Sequence, residues 1–247
     1  MHLNLSTRFA PLKTPLIPVF MLFCGAFSGC VVGVDDASKS LHVIEIEPVE
    51  GANAPVDQPL RITFDRYLDP DQDFSRAADV ISGGLRVGAS VGYDPVAPGL
   101  VVVPTADLPP GIGYTLVVRA ERIRALDGGQ MAEDVRHSFI GARSTTGPRE
   151  TPLVDFESEV APILEARCGG CHGPDLPPEM TEAGLVGVQS PSMPELLMVR
   201  PGQPMESTLV LKLLPDYPRR VGQQMPLSGD LLDPETLRTL VSWVAQL

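Results

Sequence analysis

The chain has 247 residues and a formal net charge of −12, length enough for about two domains. That charge excludes nucleic-acid binding as a leading function, because neutralising phosphates takes a basic face. The 26 prolines and 23 glycines favour many turns and strands over one long helical fold.

The N-terminus reads as a leader. Arg8 and Lys13 precede any acid, and an apolar run from Leu16 to Phe27 follows. The run is too short to span a bilayer but suits the core of a signal peptide. It ends in Phe27-Ser28-Gly29-Cys30, which resembles a bacterial lipobox, with Phe27 in place of the usual Leu, Val or Ile. The resemblance implies a lipoprotein signal peptide over 1–29 and lipidation at Cys30. A tether over 30–40 would then hold the protein to a membrane. The implied location is the envelope of a Gram-negative-type bacterium, lipid-anchored, on the periplasmic side or outer surface. Cys24 also lies in the leader, so only Cys168 and Cys171 remain beyond Cys30 and no spare pair is left for a structural disulfide.

Residues 41–141 show an apolar period of two. Leu41 to Ile46 form one expected strand, and Leu60, Ile62 and Phe64 alternate in the next. Further strands are expected at Leu85–Tyr93, Leu100–Val103, Thr115–Val118 and Val135–Ile140. Turn signals such as Asp69-Pro70-Asp71, Pro109-Pro110-Gly111 and Asp127-Gly128-Gly129 separate them. Short strands at this spacing predict a β-sandwich. Ile46-Glu47-Pro48, Leu60-Arg61-Ile62-Thr63-Phe64-Asp65 and Leu108-Pro109-Pro110-Gly111-Ile112-Gly113-Tyr114 together resemble bacterial Ig-like domains. In that resemblance Tyr114 is a corner tyrosine with a packing role. His42 and His137 read as strand residues, and the segment reads as a spacer or contact module.

A linker is expected over 142–152, where Thr145 to Pro152 lacks periodicity and contains two prolines. Phe156, Val160, Ile163 and Leu164 then repeat at helical spacing. Pro162 requires either an N-cap at Ser158 or a kink. The run leads into Cys168-Gly169-Gly170-Cys171-His172. Two thiols three positions apart, followed at once by an imidazole, are the attachment pattern for c-type haem. Each sulfur adds to a haem vinyl group, and the histidine then lies under the iron. Gly169 and Gly170 are expected to leave room for a tight turn. A redox dithiol would sit on a thioredoxin-like βαβ unit, for which there is no sign. A structural zinc would need a fourth ligand, and no further Cys or His occurs after residue 137. Two more helices are expected: one from about Ser207 to Leu214, and one capped by Asp233 with Pro234 at its first position. The latter buries Leu237, Leu240, Val241 and Val244, with Trp243 beside that stripe.

Val160-Ala161-Pro162-Ile163-Leu164 before the motif, Val199-Arg200-Pro201-Gly202, Gln224-Met225-Pro226 and the Trp243-bearing last helix together resemble class I cytochrome c. The expected fold is therefore multidomain: an all-β Ig-like sandwich, then an all-α cytochrome c domain over 153–247. The resemblance implies one covalent haem c held by Cys168 and Cys171, with His172 as proximal and Met225 as distal iron ligand. Met193, also followed by proline, competes with Met225.

The function expected is a membrane-anchored c-type cytochrome that passes single electrons to and from unidentified redox partner proteins, not an enzyme. Two alternatives stand beside it. One is a haem enzyme or gas sensor with an open or labile sixth site. The other is a structural or adhesion surface lipoprotein.

Overall fold

The computed structural model describes residues 40–55, 58–105, 108–143, 153–227 and 230–247. They belong to one compact unit, Asp36–Leu247. The leader, Cys30 and most of the expected linker lie outside the described residues.

Among the described residues nine strands form two sheets. They are β1 (Val43–Glu47), β2 (Asn53–Pro55), β3 (Leu60–Phe64), β4 (Ala78–Ser82), β5 (Leu85–Val87), β6 (Ala89–Asp94), β7 (Gly99–Pro104), β8 (Gly113–Val118) and β9 (Val135–Ala142). One sheet has the order β1-β3-β7-β6 and the other β2-β9-β8-β4-β5. All pairings are antiparallel except β2 with β9. Alternation sets the inward face. In β3, Leu60, Ile62 and Phe64 are buried while Arg61 and Thr63 are half-exposed. They share one core with Leu100 and Val102 of β7 and with Val80, Leu116, Val118 and Phe139 of the other sheet. Tyr114 donates its hydroxyl to the Pro109 carbonyl at 3.2 Å, a packing role.

The expected strand Leu85–Tyr93 is two strands in different sheets. Its first part pairs with β4 and its second with β7. Gly88 is the crossing point, and a Cβ there would meet Thr105 Oγ1 at 2.6 Å. Strands β2 and β4 were not expected from the sequence.

The expected all-α cytochrome c domain is corrected by the structure. Regular structure is mostly β-sheet, and the helices of residues 153–247 are few and short. They are α1 (Ala161–Arg167), α2 (Glu182–Leu185), α3 (Thr208–Leu213) and α4 (Pro234–Gln246), of 7, 4, 6 and 13 residues. Ten prolines fall between residues 174 and 226, and each removes an amide donor and blocks helix continuation. The chain there runs as loop, tied by isolated bridges such as Val186 with Val199 and Leu197 with Ser207.

These pieces share a second core. It contains Val160, Leu164, Leu185, Met193, Val210, Leu213, Leu240 and Trp243, and also Tyr67 and Val96 from the sheet region. Trp243 is 1% exposed and lies 5.2 Å from Phe156 between ring centroids. It is therefore at the centre of the buried stripe, whereas Val241 is only half-buried.

Candidate functional site

The site grows out of α1. Its approach is capped by Asp155, whose carboxylate accepts from the Ser158 amide at 2.9 Å and the Ser158 hydroxyl at 2.7 Å. Ser158 is thus the donor to the cap and not the cap itself. A π-helical turn, Phe156–Val160, leads in, and Pro162 follows where that turn passes into α1. Burying Phe156, Val160 and Leu164 fixes the helix face and so the position at which α1 ends.

The helix ends in the motif. Cys168 N–H donates to Leu164 O at 2.8 Å, and Gly169 N–H to Leu164 O at 3.0 Å. The Cys168 carbonyl then accepts from both Cys171 N–H (3.0 Å) and His172 N–H (2.9 Å). One oxygen therefore closes the whole Cys-x-x-Cys-His turn and satisfies a terminal carbonyl of the helix. Gly169 is needed because a Cβ there would stand 2.8 Å from Glu165 O, whereas Gly170 faces open space. The tight approach is to the chain's own helix.

Both motif cysteines are free thiols; Cys168 is half-buried and Cys171 exposed. Burial pushes the Cys168 thiol up, against a smaller opposing effect of Arg167. A redox dithiol wants the reverse, a stabilised thiolate. The His172 imidazole is incompletely satisfied by the polypeptide: its Nδ1 is buried and has no hydrogen-bond partner among the described residues. A buried polar nitrogen left so is costly, so the polypeptide alone does not satisfy this ring. Among the described residues no three His, Cys, Asp or Glu side chains gather as a metal cage. Covalent haem asks only the imidazole of the three donors to bind metal. Cys168, Cys171 and His172 fit that group.

Met225 lies on a loop stitched to the end of α3. The carbonyls there lack helical partners. Lys212 O accepts from Met225 N–H at 2.9 Å, Leu213 O from Gln224 Nε2 at 3.5 Å, and Leu214 O from Arg220 at 2.9 Å. Lys212 in turn donates Nζ to Val221 O at 2.5 Å. Cations at a helix C-terminus are favourable, a signal present in the sequence but not read there. Met225 is half-buried and, like Cys168, packs against the second core. Met193 is 1% exposed inside that core, its amide bonded to Ser190 Oγ at 3.1 Å. It is placed as packing, while Met225 sits nearer the surface on a braced loop. A depression between α1 and α4, lined by Ile163, Arg167, Leu231 and Thr236 among others, includes neither the motif's side chains nor Met225.

No family model matches the sequence, and no curated protein does. Solved structures match part of the chain. A crystal structure of Escherichia coli alpha-2-macroglobulin spanning domains MG0-NIE-MG1 shares 22% identity, with a TM-score of 0.34. The match covers 44% of this chain and 34% of that one, so this chain spans about a third of that length. CopC from Methylosinus trichosporium shares 12% identity over 43% of this chain and 97% of its own, with a TM-score of 0.34. PcoC, a methionine-rich copper resistance protein from Escherichia coli, shares 17% over 41% and 98%, again at 0.34. At these scores the likenesses give neither a family nor a function.

Proposed function

We propose that the protein is an electron carrier with one haem c bound covalently through Cys168 and Cys171. What carries the reading is the turn closed on the Cys168 carbonyl, with two free thiols and an adjoining imidazole whose Nδ1 is buried without a partner. This attachment needs a turn with the right residues, not a helical bundle, so it does not depend on the fold expected from the sequence. The group supplies a ferric–ferrous couple. The chain's own residues do the rest. Cys168 and Cys171 would hold the cofactor, His172 would give an imidazole nitrogen to its iron, and Met225 would offer a thioether from a braced loop. The second core beside Cys168 excludes water, which raises the electrostatic effect of every nearby charge.

We place the carrier at a membrane through acylation of Cys30, since stable anchoring by acyl chains takes more than one of them. Cys30→Ser protein is then expected in the soluble periplasmic or medium fraction. Full retention on membranes would remove the anchor from the proposal.

The deciding experiment is haem staining after denaturing electrophoresis of protein matured with haem-attachment machinery. Staining in the wild type and none in the Cys168→Ser, Cys171→Ser double variant is expected. Undiminished staining in the double variant, or none in the wild type, overturns the reading.

A further inference from the structure

We infer that the sheet region positions the loop that carries Met225, with Tyr67 as the positioning residue; this rests on the haem reading above. Tyr67 comes three residues after the end of β3. Its carbonyl accepts from Leu126 N–H at 2.8 Å, and Leu68 bridges Ala125, so its backbone is clamped to the connection between β8 and β9. The side chain leaves that core and enters the second one, where it is 9% exposed.

There it holds the start of the loop by two contacts. The hydroxyl donates to the Pro215 carbonyl at 2.5 Å. The ring meets the Tyr217 ring edge-on, with centroids 5.2 Å apart and planes at 89°. Asp216 between them adopts φ 45°, the left-handed turn that brings Pro215 O and the Tyr217 ring to the same partner. The loop is thus fixed at its entry by Tyr67 and at its exit by the Met225–Lys212 backbone bond. A further link from the sheet region to this loop, Arg219 with Asp71 at 3.8 Å, is exposed on both sides and contributes little. Releasing the entry would leave Met225 on a loop braced by its bonds to the end of α3 but no longer tied to the sheet region.

The hydroxyl and the ring are separable, and this makes the inference testable. Tyr67→Phe keeps the ring in the core and removes only the bond to Pro215. Tyr114→Phe is the control, since Tyr114 also donates to a backbone carbonyl but away from this loop. Two readouts are taken on the full-length, haem-loaded protein: hydrogen exchange at the Met225 amide, and the affinity of ferric protein for added imidazole, which competes with the thioether. Losing one neutral hydrogen bond, about 1 kcal/mol, makes an opening equilibrium about fivefold more favourable. Both readouts are expected to rise by that factor in Tyr67→Phe and to stay level in Tyr114→Phe. Unchanged Met225 exchange overturns the inference, as does an equal rise in the control. Faster exchange with unchanged imidazole affinity overturns its link to the iron. Absence of haem from the wild type overturns the electron-carrier reading alone, because the exchange readout still decides whether Tyr67 holds the loop. Should Tyr67→Phe fail to fold, Tyr217→Leu removes the edge-on contact instead and is judged by the same readouts.

Discussion

Arg238 of α4 donates through Nε to the Asp94 carboxylate, at the end of β6, across 3.1 Å. The same oxygen accepts from Arg61 at 3.1 Å, and the other caps the Val96 amide at 3.0 Å. The Asp94 side chain is 10% exposed, with guanidinium groups on both sides of it. Removing it leaves two arginines and an amide without an acceptor, so Asp94→Ala is expected to cost about 2–3 kcal/mol. Arg238→Gln, which leaves Arg61 in place, is expected to cost about 1 kcal/mol. Urea unfolding followed by circular dichroism measures both. Equal effects of the two substitutions would show that Asp94 is not the shared acceptor in solution.

Gly169 and Gly170 are neighbours with different duties. Gly169→Ala forces a Cβ against Glu165 O, 2.8 Å away, and must open the end of α1. The expected loss is about 1–3 kcal/mol, with reduced haem attachment, because both thiols hang on that turn. Gly170→Ala meets nothing within 4 Å and is expected to change stability by less than about 1 kcal/mol. Thermal melts and haem yield of the pair test the contrast.

Met225 and Met193 separate by what their loss does. Met225→Ala is expected to abolish the near-infrared sulfur-to-iron absorption of the ferric protein and to lower its reduction potential, with haem still attached. Met193 fills the second core, and Met193→Ala should cost about 2–5 kcal/mol while leaving the absorption intact. An absorption that survives the first substitution and disappears with the second would exchange their roles.

The Cys-x-x-Cys-His spacing stands in the sequence, and the turn it forms follows from local hydrogen bonds to Cys168 O; less of the fold was legible. The cap of α4 could be read directly, where Asp233 accepts from the Glu235 and Thr236 amides at 3.1 and 2.9 Å. The start of α3 near Ser207 was legible from the repeat of Leu209, Leu213 and Leu214, although Ser207 makes no side-chain cap bond. The inward face of β3 followed from simple alternation. By contrast, β2 has three residues and exists through its parallel pairing with β9, almost ninety positions away. The crossing at Gly88 was hidden because apolar alternation does not tell which sheet a strand joins. The helical domain was over-read: helical spacing at Phe156–Leu164 and Leu237–Val244 is real, but the proline-rich chain between them folds by long-range loop contacts. Tyr67 carried no local signal, since nothing in its own segment points to residue 215.

Alkaline pH should unlatch Tyr67. Its hydroxyl is pushed up to about 12, first by burial and then by Asp216, with Arg220 opposing and Tyr217 adding slightly. An unfolded tyrosine titrates near about 10. Because the folded value is the higher one, its contribution to stability is complete below about pH 10 and is lost as pH rises through about 12. Wild-type protein should lose stability across that window, and Tyr67→Phe should lose less. Tyr93 and Tyr217 are also raised by burial, so the difference between the two proteins is the measurement. Identical alkaline profiles would remove Tyr67 from the account.

Tyr67 and Val96 complete a core whose other members run from Phe156 to Val244. A gene fragment beginning at residue 153 would therefore encode the Cys-x-x-Cys-His motif without part of the wall behind it, and would leave Arg238 without the Asp94 carboxylate. Such a fragment is a poor cassette for recombination. A crossover between residues 143 and 153 would join a motif to a foreign surface that lacks both the phenol and the acid. What can be inherited and exchanged intact is the sheets and the motif together, and any family of this architecture should keep them on one reading frame.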